Sequence, residues 1–153
     1  MYRVVFVCSG NICRSPIAEK VFARAVEQAG LADRVDVASA GTGSWHVGGP
    51  ADERAAALLV QHGYDDTHEA RQVDDDLLAA DLLVALDEGH LRSLRRMAPD
   101  PGRVRLLRSF DPAAPRRAGV PDPYYGGPDG FTEVLEMIRA AVPRLLEHVK
   151  AEL

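Results

Sequence analysis

The sequence is poor in the residues that several common classes of protein depend on. It holds two cysteines in 153 residues, Cys8 and Cys13, too few for a disulfide framework and unaccompanied by any Cys/His cluster at ligand spacing. A structural metal site is therefore not expected. Only two of the 18 basic residues are lysine, Lys20 and Lys150, and 23 acidic residues leave a formal net charge of −5. That balance offers no general attraction to nucleic acid. No apolar run approaches the roughly 20 residues of a membrane span. The opening Met1-Tyr2-Arg3-Val4-Val5-Phe6-Val7 is too short for a signal peptide and leads straight into polar residues. A cytoplasmic protein without nucleic acid or membrane as partner is expected, and reactive thiol chemistry is the remaining reading of the cysteine pair. There is no internal repeat and no linker, so residues 1–153 read as one domain.

What is present alternates. A β-branched and aromatic run at 3–7 reads as a buried strand. The polar turn Cys8-Ser9-Gly10-Asn11-Ile12-Cys13-Arg14 follows, and then Ser15-Pro16, a helix start with Ser15 as N-cap and Pro16 at the first helical position. Ile17, Val21, Phe22, Ala25, Val26 and Ala29 form that helix's apolar stripe, stopped by Gly30. A second strand fits 35–40, followed by a Gly/Ser-rich turn over 41–49. Pro50 opens a helix closed by Gly63, and Asp74, Asp75 and Asp76 read as the solvated start of a helix within 74–80. Strands at 82–86 and 104–107 bracket a helix over 88–97. Residues 109–129, rich in Pro and Gly, have no apolar period, and a loop of that length in a compact domain is usually functional. The last helix carries Phe131, Val134, Leu135, Ile138, Val142, Leu145, Leu146 and Val149 on one side, with Pro143 expected to kink or split it. Such alternation implies an α/β fold: one three-layer domain with a four-stranded parallel sheet flanked by helices on both faces, flavodoxin- or Rossmann-like. Ligands in such folds bind beyond the carboxyl ends of the strands, where the Cys8 turn and the long loop both lie.

The Cys8 turn suits a phosphate. A loop wrapped just before a helix turns backbone N–H groups towards one point, and the helix end adds positive potential. Gly10 permits close backbone approach, and Asn11 tolerates a left-handed conformation. Arg14 can grip two phosphate oxygens with its planar fork. The same positive pocket favours the Cys8 thiolate, placed for in-line attack on phosphorus.

Cys-Ser-Gly-Asn-Ile-Cys-Arg-Ser-Pro at the amino end resembles the phosphate loop of the low-molecular-weight protein tyrosine phosphatases. Ala38-Ser39-Ala40-Gly41-Thr42, His68-Glu69-Ala70-Arg71-Gln72-Val73 and Asp122-Pro123-Tyr124-Tyr125-Gly126-Gly127 match in the same order, so the resemblance spans essentially the whole chain. It implies the phosphotyrosine phosphatase I-like version of the fold, Cys8 as nucleophile, Arg14 as transition-state clamp and Asp122 as general acid. Ser9, Gly10, Asn11, Ile12, Cys13 and Ser15 complete the phosphate loop. Asn11, Ser39 and His68 would hold the loop in its strained form, and Ser15 would hydrogen-bond the Cys8 sulfur. Trp45, Tyr124 and Tyr125 would wall a deep slot for an aryl phosphate, with Ile12 at its floor. This chemistry needs no cofactor and no metal.

From the residues alone, Asp100, Asp111 and Asp129 compete with Asp122 for the acid role. Cys13 either packs under the loop or captures an oxidised Cys8 as a disulfide. His46, His62, His90 and His148 read as surface residues. The partners implied are tyrosine-phosphorylated proteins and a cognate tyrosine kinase, which could also phosphorylate Tyr124 or Tyr125; the chain is expected as a monomer or weak dimer. Three rivals stand beside this reading: an arginine phosphatase, whose relatives tend to carry Thr in place of Ile12; an arsenate reductase, which needs later cysteines absent here; and a non-catalytic phosphate-binding module.

Overall fold

The computed structural model describes residues 1–153 and contains one parallel sheet of four strands, β1 (Tyr2–Cys8), β2 (Val35–Gly41), β3 (Leu82–Ala85) and β4 (Val104–Leu106), in the order β2-β1-β3-β4. Five helices accompany it: α1 (Arg14–Gln28), α2 (Glu53–Gln61), α3 (Asp75–Leu78), α4 (Glu88–Met97) and α5 (Pro128–Glu152). The pleat of β1 sends Val4, Phe6 and Cys8 to a core shared with α1, α2 and α5. Val5 and Val7 face a second core built with Leu77 and Leu78 of α3 and Leu94 of α4. Phe6 meets Phe22 edge-on at 5.6 Å between ring centroids, and burying each such side chain contributes roughly 1.5–3 kcal/mol. The sheet is thus covered on both faces, as the near-continuous apolar strands require.

The strand order positions the site. β1 pairs with β2 on one side and β3 on the other, so a crevice opens beyond their carboxyl ends. Cys8 is the last residue of β1, in register with Gly41 of β2. The chain leaving β3 passes Leu86 and reaches Asp87 at the same edge.

Several boundaries differ from those expected. Helix α1 starts at Arg14 with Cys13 at the cap position and no side-chain cap; Ser15 lies inside the helix and its hydroxyl turns to the Cys8 sulfur. Pro50 does not open α2. Asp52 caps it instead, its carboxylate accepting the Arg54 N–H at 2.8 Å. The long loop is shorter than 109–129, because a 3-10 turn takes Leu107–Phe110 and Pro128 becomes the first residue of α5. Pro143 does not split α5, which runs unbroken for 25 residues. Its ring lies on the solvent side, where a carbonyl that loses its helical donor can turn to water.

Candidate active site

Nothing in the chain accepts a hydrogen bond from the backbone N–H groups of Ser9 through Ser15. They surround the start of α1, whose unpaired first-turn amides and dipole favour an anion. The pocket beside them has a volume of about 360 Å³ and is walled by Cys8, Ser9, Gly10, Ile12, Cys13 and Arg14 from the loop. Trp45, His46, Asp122, Tyr124 and Tyr125 complete its mouth. Every pocket residue expected from the sequence is therefore at one place. His46 joins them at the rim, a location its surface reading did not include.

Gly41 explains how the loop sits so close to β2. A Cβ there would lie 2.5 Å from the Ser9 carbonyl oxygen and 3.2 Å from the Asn11 nitrogen. Just past it, the Thr42 and Gly43 N–H groups donate to the Cys8 and Ser9 carbonyls at 2.9 and 3.0 Å. The Cys8 and Ser9 carbonyls thus face the end of β2 while the loop's amides stay free.

Behind the loop, Asn11 holds a left-handed backbone (φ 58°) and is fully buried. Its Nδ2 donates to Ser15 Oγ at 2.8 Å and Ser39 Oγ at 3.0 Å, and its Oδ1 accepts the Arg71 N–H at 3.0 Å. Its carbonyl accepts from His68 Nε2 at 2.7 Å. Ser39 Oγ in turn donates to Glu19 Oε1 at 2.7 Å, a partner absent from the sequence reading. The donors fix the direction of the chain. Ser15 accepts from Asn11, and its Oγ lies 2.9 Å from Cys8 Sγ and 3.4 Å from the Ala40 carbonyl; towards a Cys8 thiolate, which can only accept, its proton goes to sulfur. Burial pushes the His68 pKa down, outweighing the pull of the Asn11 carbonyl, and a neutral ring protonated on Nε2 suffices for its bond.

Arg14 is 4% exposed. Its Nη1 donates to Asp87 Oδ2 and to the Val120 carbonyl, both at 2.9 Å. Those bonds leave the Nε–Nη2 edge, the one suited to two oxygens of an oxyanion, without a hydrogen bond to the chain. Nη2 lies 3.8 Å from Asp122 Oδ2, so the half-exposed Asp122 carboxyl stands across the pocket mouth from the arginine fork. Asp100, Asp111 and Asp129 do not line this pocket. Asp87 was not singled out from the sequence. Burial pushes its carboxyl up, but the hydrogen bond from the His90 backbone N–H and the Arg14 guanidinium that donates to it outweigh this and hold it below the usual range. His90 corrects a reading outright: it is 5% exposed, not a surface residue, and its Nε2 lies 2.9 Å from Ser9 Oγ.

Both thiols are free and buried. Burial, with Asp52 and Cys8 adding to it, pushes the Cys13 thiol up to about 12, so Cys13 stays protonated beside the pocket. At the mouth, Tyr124 and Tyr125 meet edge-on at 4.9 Å, and Arg54 donates to the Tyr124 carbonyl at 3.0 Å while paired with Asp52. Trp45 is 73% and Tyr125 90% exposed, large apolar surfaces left open at the rim. No group of His, Cys, Asp and Glu is arranged to hold a metal ion, and no helix is long and apolar enough to cross a membrane.

Comparison with known proteins matches residues 3–153 to the model of the low molecular weight phosphotyrosine protein phosphatase family. A low molecular weight protein-tyrosine-phosphatase of Streptomyces coelicolor is 57% identical over 99% of this chain and 95% of its own length. A protein tyrosine phosphatase of Entamoeba histolytica, crystallised with Hepes in its active site, superposes with a TM-score of 0.93 at 30% identity, covering 99% of both chains. A Drosophila arginine phosphatase superposes with a TM-score of 0.88 at 34% identity, over 96% of this chain and 97% of its own.

Proposed function

The chain belongs to the low molecular weight phosphotyrosine protein phosphatase family, and on that footing we propose that it hydrolyses phosphotyrosine in proteins through a phosphocysteine on Cys8. The observation that carries this reading is the row of free amides from Ser9 to Ser15, set beside a buried thiol and a half-free arginine fork. The Cys8 thiolate attacks phosphorus in line, forming the S–P bond as the P–O bond to tyrosine breaks. The loop amides and the Arg14 edge receive the equatorial oxygens, where charge develops. Asp122 gives its proton to the departing phenolate, then takes one from the water that cleaves S–P and releases phosphate. The Ser15 hydroxyl, donating to Cys8 Sγ, makes the sulfur a better leaving group in that second step.

Tyrosine-phosphorylated proteins are the substrates this slot fits, supplied by a cognate tyrosine kinase in the cytoplasm and met by a monomeric or weakly dimeric enzyme. In that setting Cys8 is open to peroxide. The sulfenic acid formed condenses with the Cys13 thiol, losing water to give a reversible disulfide, slowly because Cys13 is held protonated.

The likeness to an arginine phosphatase supports a second reading, with phosphoarginine as substrate. Against it, Ile12 gives the pocket an apolar wall that favours an aryl group. Turnover of matched phosphotyrosine, phosphoserine and phosphoarginine peptides decides between them, with Cys8→Ser as control. Preferred phosphotyrosine turnover, lost in Cys8→Ser with phosphate binding retained, is the expected result; hydrolysis surviving in that variant overturns the covalent route. Asp122→Ala should slow a poor phenolic leaving group far more than a good one, and equal losses would remove Asp122 from the acid role.

A further inference from the structure

One buried titratable side chain at this edge has no part in the hydrolytic scheme. His90 sits in the first turn of α4, with Nε2 2.9 Å from Ser9 Oγ and Nδ1 3.1 Å from Asp87 Oδ1. The Nδ1 contact falls short of a good hydrogen bond, and the same oxygen accepts the His90 backbone N–H at 3.0 Å as the helix cap. Burial drives the His90 pKa down to about 4, against the pull of Asp87, so the ring is neutral. A bare Nδ1 lone pair would face the lone pairs of the carboxylate at 3.1 Å, so charge alone, without an aligned bond, places the ring proton on Nδ1 and leaves Nε2 a bare acceptor. The Ser9 hydroxyl therefore donates to His90. An imidazolium could not accept that bond, and it would stand near the Arg14 guanidinium.

The tether has a particular place in the site. Ser9 is the residue after the nucleophile, and its N–H is one of the free amides of the loop. Asp87 uses Oδ2 to hold Arg14 and Oδ1 to meet His90. The first turn of α4 thus holds both the start of the loop and the arginine clamp. The Asn11 assembly supports the loop from the other side, through Ser15, Ser39, His68 and Arg71, and none of its bonds reaches the Ser9 side chain.

We propose that His90 is a positioning residue for oxyanion transfer: as a neutral acceptor it fixes the Ser9 hydroxyl and so keeps the Cys8–Ser9 segment in register with Arg14. The kinetic consequence rests on the hydrolytic reading above. The equatorial oxygens of a five-coordinate phosphorus demand closer alignment than a bound phosphate does, so losing the tether reduces turnover more than ground-state binding.

The test compares wild type with His90→Phe, which keeps a ring without an acceptor, His90→Gln, which returns a polar atom near Nε2, Ser9→Ala, and the Ser9→Ala/His90→Phe double variant. Each is assayed for hydrolysis of p-nitrophenyl phosphate, for calorimetric affinity towards vanadate and inorganic phosphate, and for melting temperature. His90→Phe should lower kcat about tenfold while KM stays within about twofold, as loss of one aligned hydrogen bond predicts. Vanadate affinity should fall in step with kcat and phosphate affinity should not. Ser9→Ala should reproduce the loss, the double variant should add nothing to it, and His90→Gln should recover most of it. Additive losses, no recovery in His90→Gln, or kcat and vanadate affinity unchanged in Ser9→Ala overturn the proposal. Ser9→Ala removes only a hydroxyl and carries the test if His90→Phe does not fold. A wild type that hydrolyses nothing, with vanadate affinity still following the variants, sinks the hydrolytic reading and leaves this one standing; an active wild type matched by every variant does the reverse.

Discussion

Replacing Asn11 by alanine removes three hydrogen bonds from behind the loop while leaving the reacting groups in place. The side chain is fully buried and uses all three of its hydrogen-bonding directions that the loop offers: two donated bonds to Ser15 and Ser39 and one accepted from the Arg71 N–H. A net value of about 1 kcal/mol per bond, and about 1 kcal/mol more for placing alanine at φ 58°, give a destabilisation of about 4 kcal/mol. That is a large part of the ~5–15 kcal/mol available to a domain, so the variant should fold with a much lower urea midpoint. Asn11→Gly loses the same bonds without the backbone penalty and should be about 1 kcal/mol more stable than Asn11→Ala. Both should lose turnover alike, because the amide that holds the Ser15 hydroxyl in place beside Cys8 is gone in each. Urea unfolding paired with kcat on an aryl phosphate reads both quantities. Equal stability of the glycine and alanine variants would refute the left-handed conformation at position 11. A loss below about 1 kcal/mol would show that the buried bonds contribute no net stability.

Gly41→Ala forces its new methyl to 2.5 Å from the Ser9 carbonyl, so the loop must move; kcat should fall by at least about a hundredfold, and a crystal structure with an unmoved loop and full activity would contradict the packing. Iodoacetamide should modify Cys8 well before Cys13, whose thiol is held near 12 by burial, and vanadate should protect Cys8; peptide mass mapping that finds Cys13 labelled first would overturn the assignment. Stability should also depend on pH through His90. Its folded value of about 4 lies below the ordinary 6.5, so as pH falls the unfolded chain takes the proton first. The contribution is complete above about 6.5 and lost progressively down to about 4, amounting to roughly 3 kcal/mol. His90→Gln should therefore lose less stability than wild type between pH 7 and 4.5, and equal losses in urea titrations would mean the ring is not buried neutral.

The elements legible in the sequence are those whose signals are local. Helix α4 runs over the expected 88–97 because Asp87 caps it and Pro99 follows it. Gly30, at φ 73°, stops α1 as expected. The parallel sheet followed from strands alternating with helices, and β1 does face two cores. Local rules failed where a tertiary demand competed. Ser15-Pro16 is a sound N-cap signal, yet the helix begins two residues earlier, and Ser15 turns its hydroxyl to sulfur rather than to a helix amide. Pro143 would break an isolated helix, but α5 packs Val142 and Leu145 on one side while the proline faces solvent.

The misses at Asp87 and His90 have a different origin. In Leu86-Asp87-Glu88-Gly89-His90 nothing local marks the histidine as buried, since charged and small neighbours read as a solvated helix start. The contacts that close over this turn are remote in sequence: the Ser9 loop, 81 positions away, meets the His90 ring, and at Gly119 a Cβ would meet the Asp87 Cβ at 2.8 Å. A buried polar residue is stable only with a partner, and the partner is a property of topology rather than of spacing. Topology was nevertheless available. With strands ordered so that β1 and β3 flank the crevice, the first polar residue after each strand is a site candidate by the same reasoning. Applied to β1 that reasoning nominates Ser9, next to the nucleophile; applied to β3 it nominates Asp87. A helix capped by Asp87 then sets His90, three residues on, over the same end of the sheet. The hydrogen bond between Ser9 and His90 therefore joins two strand exits across the crevice.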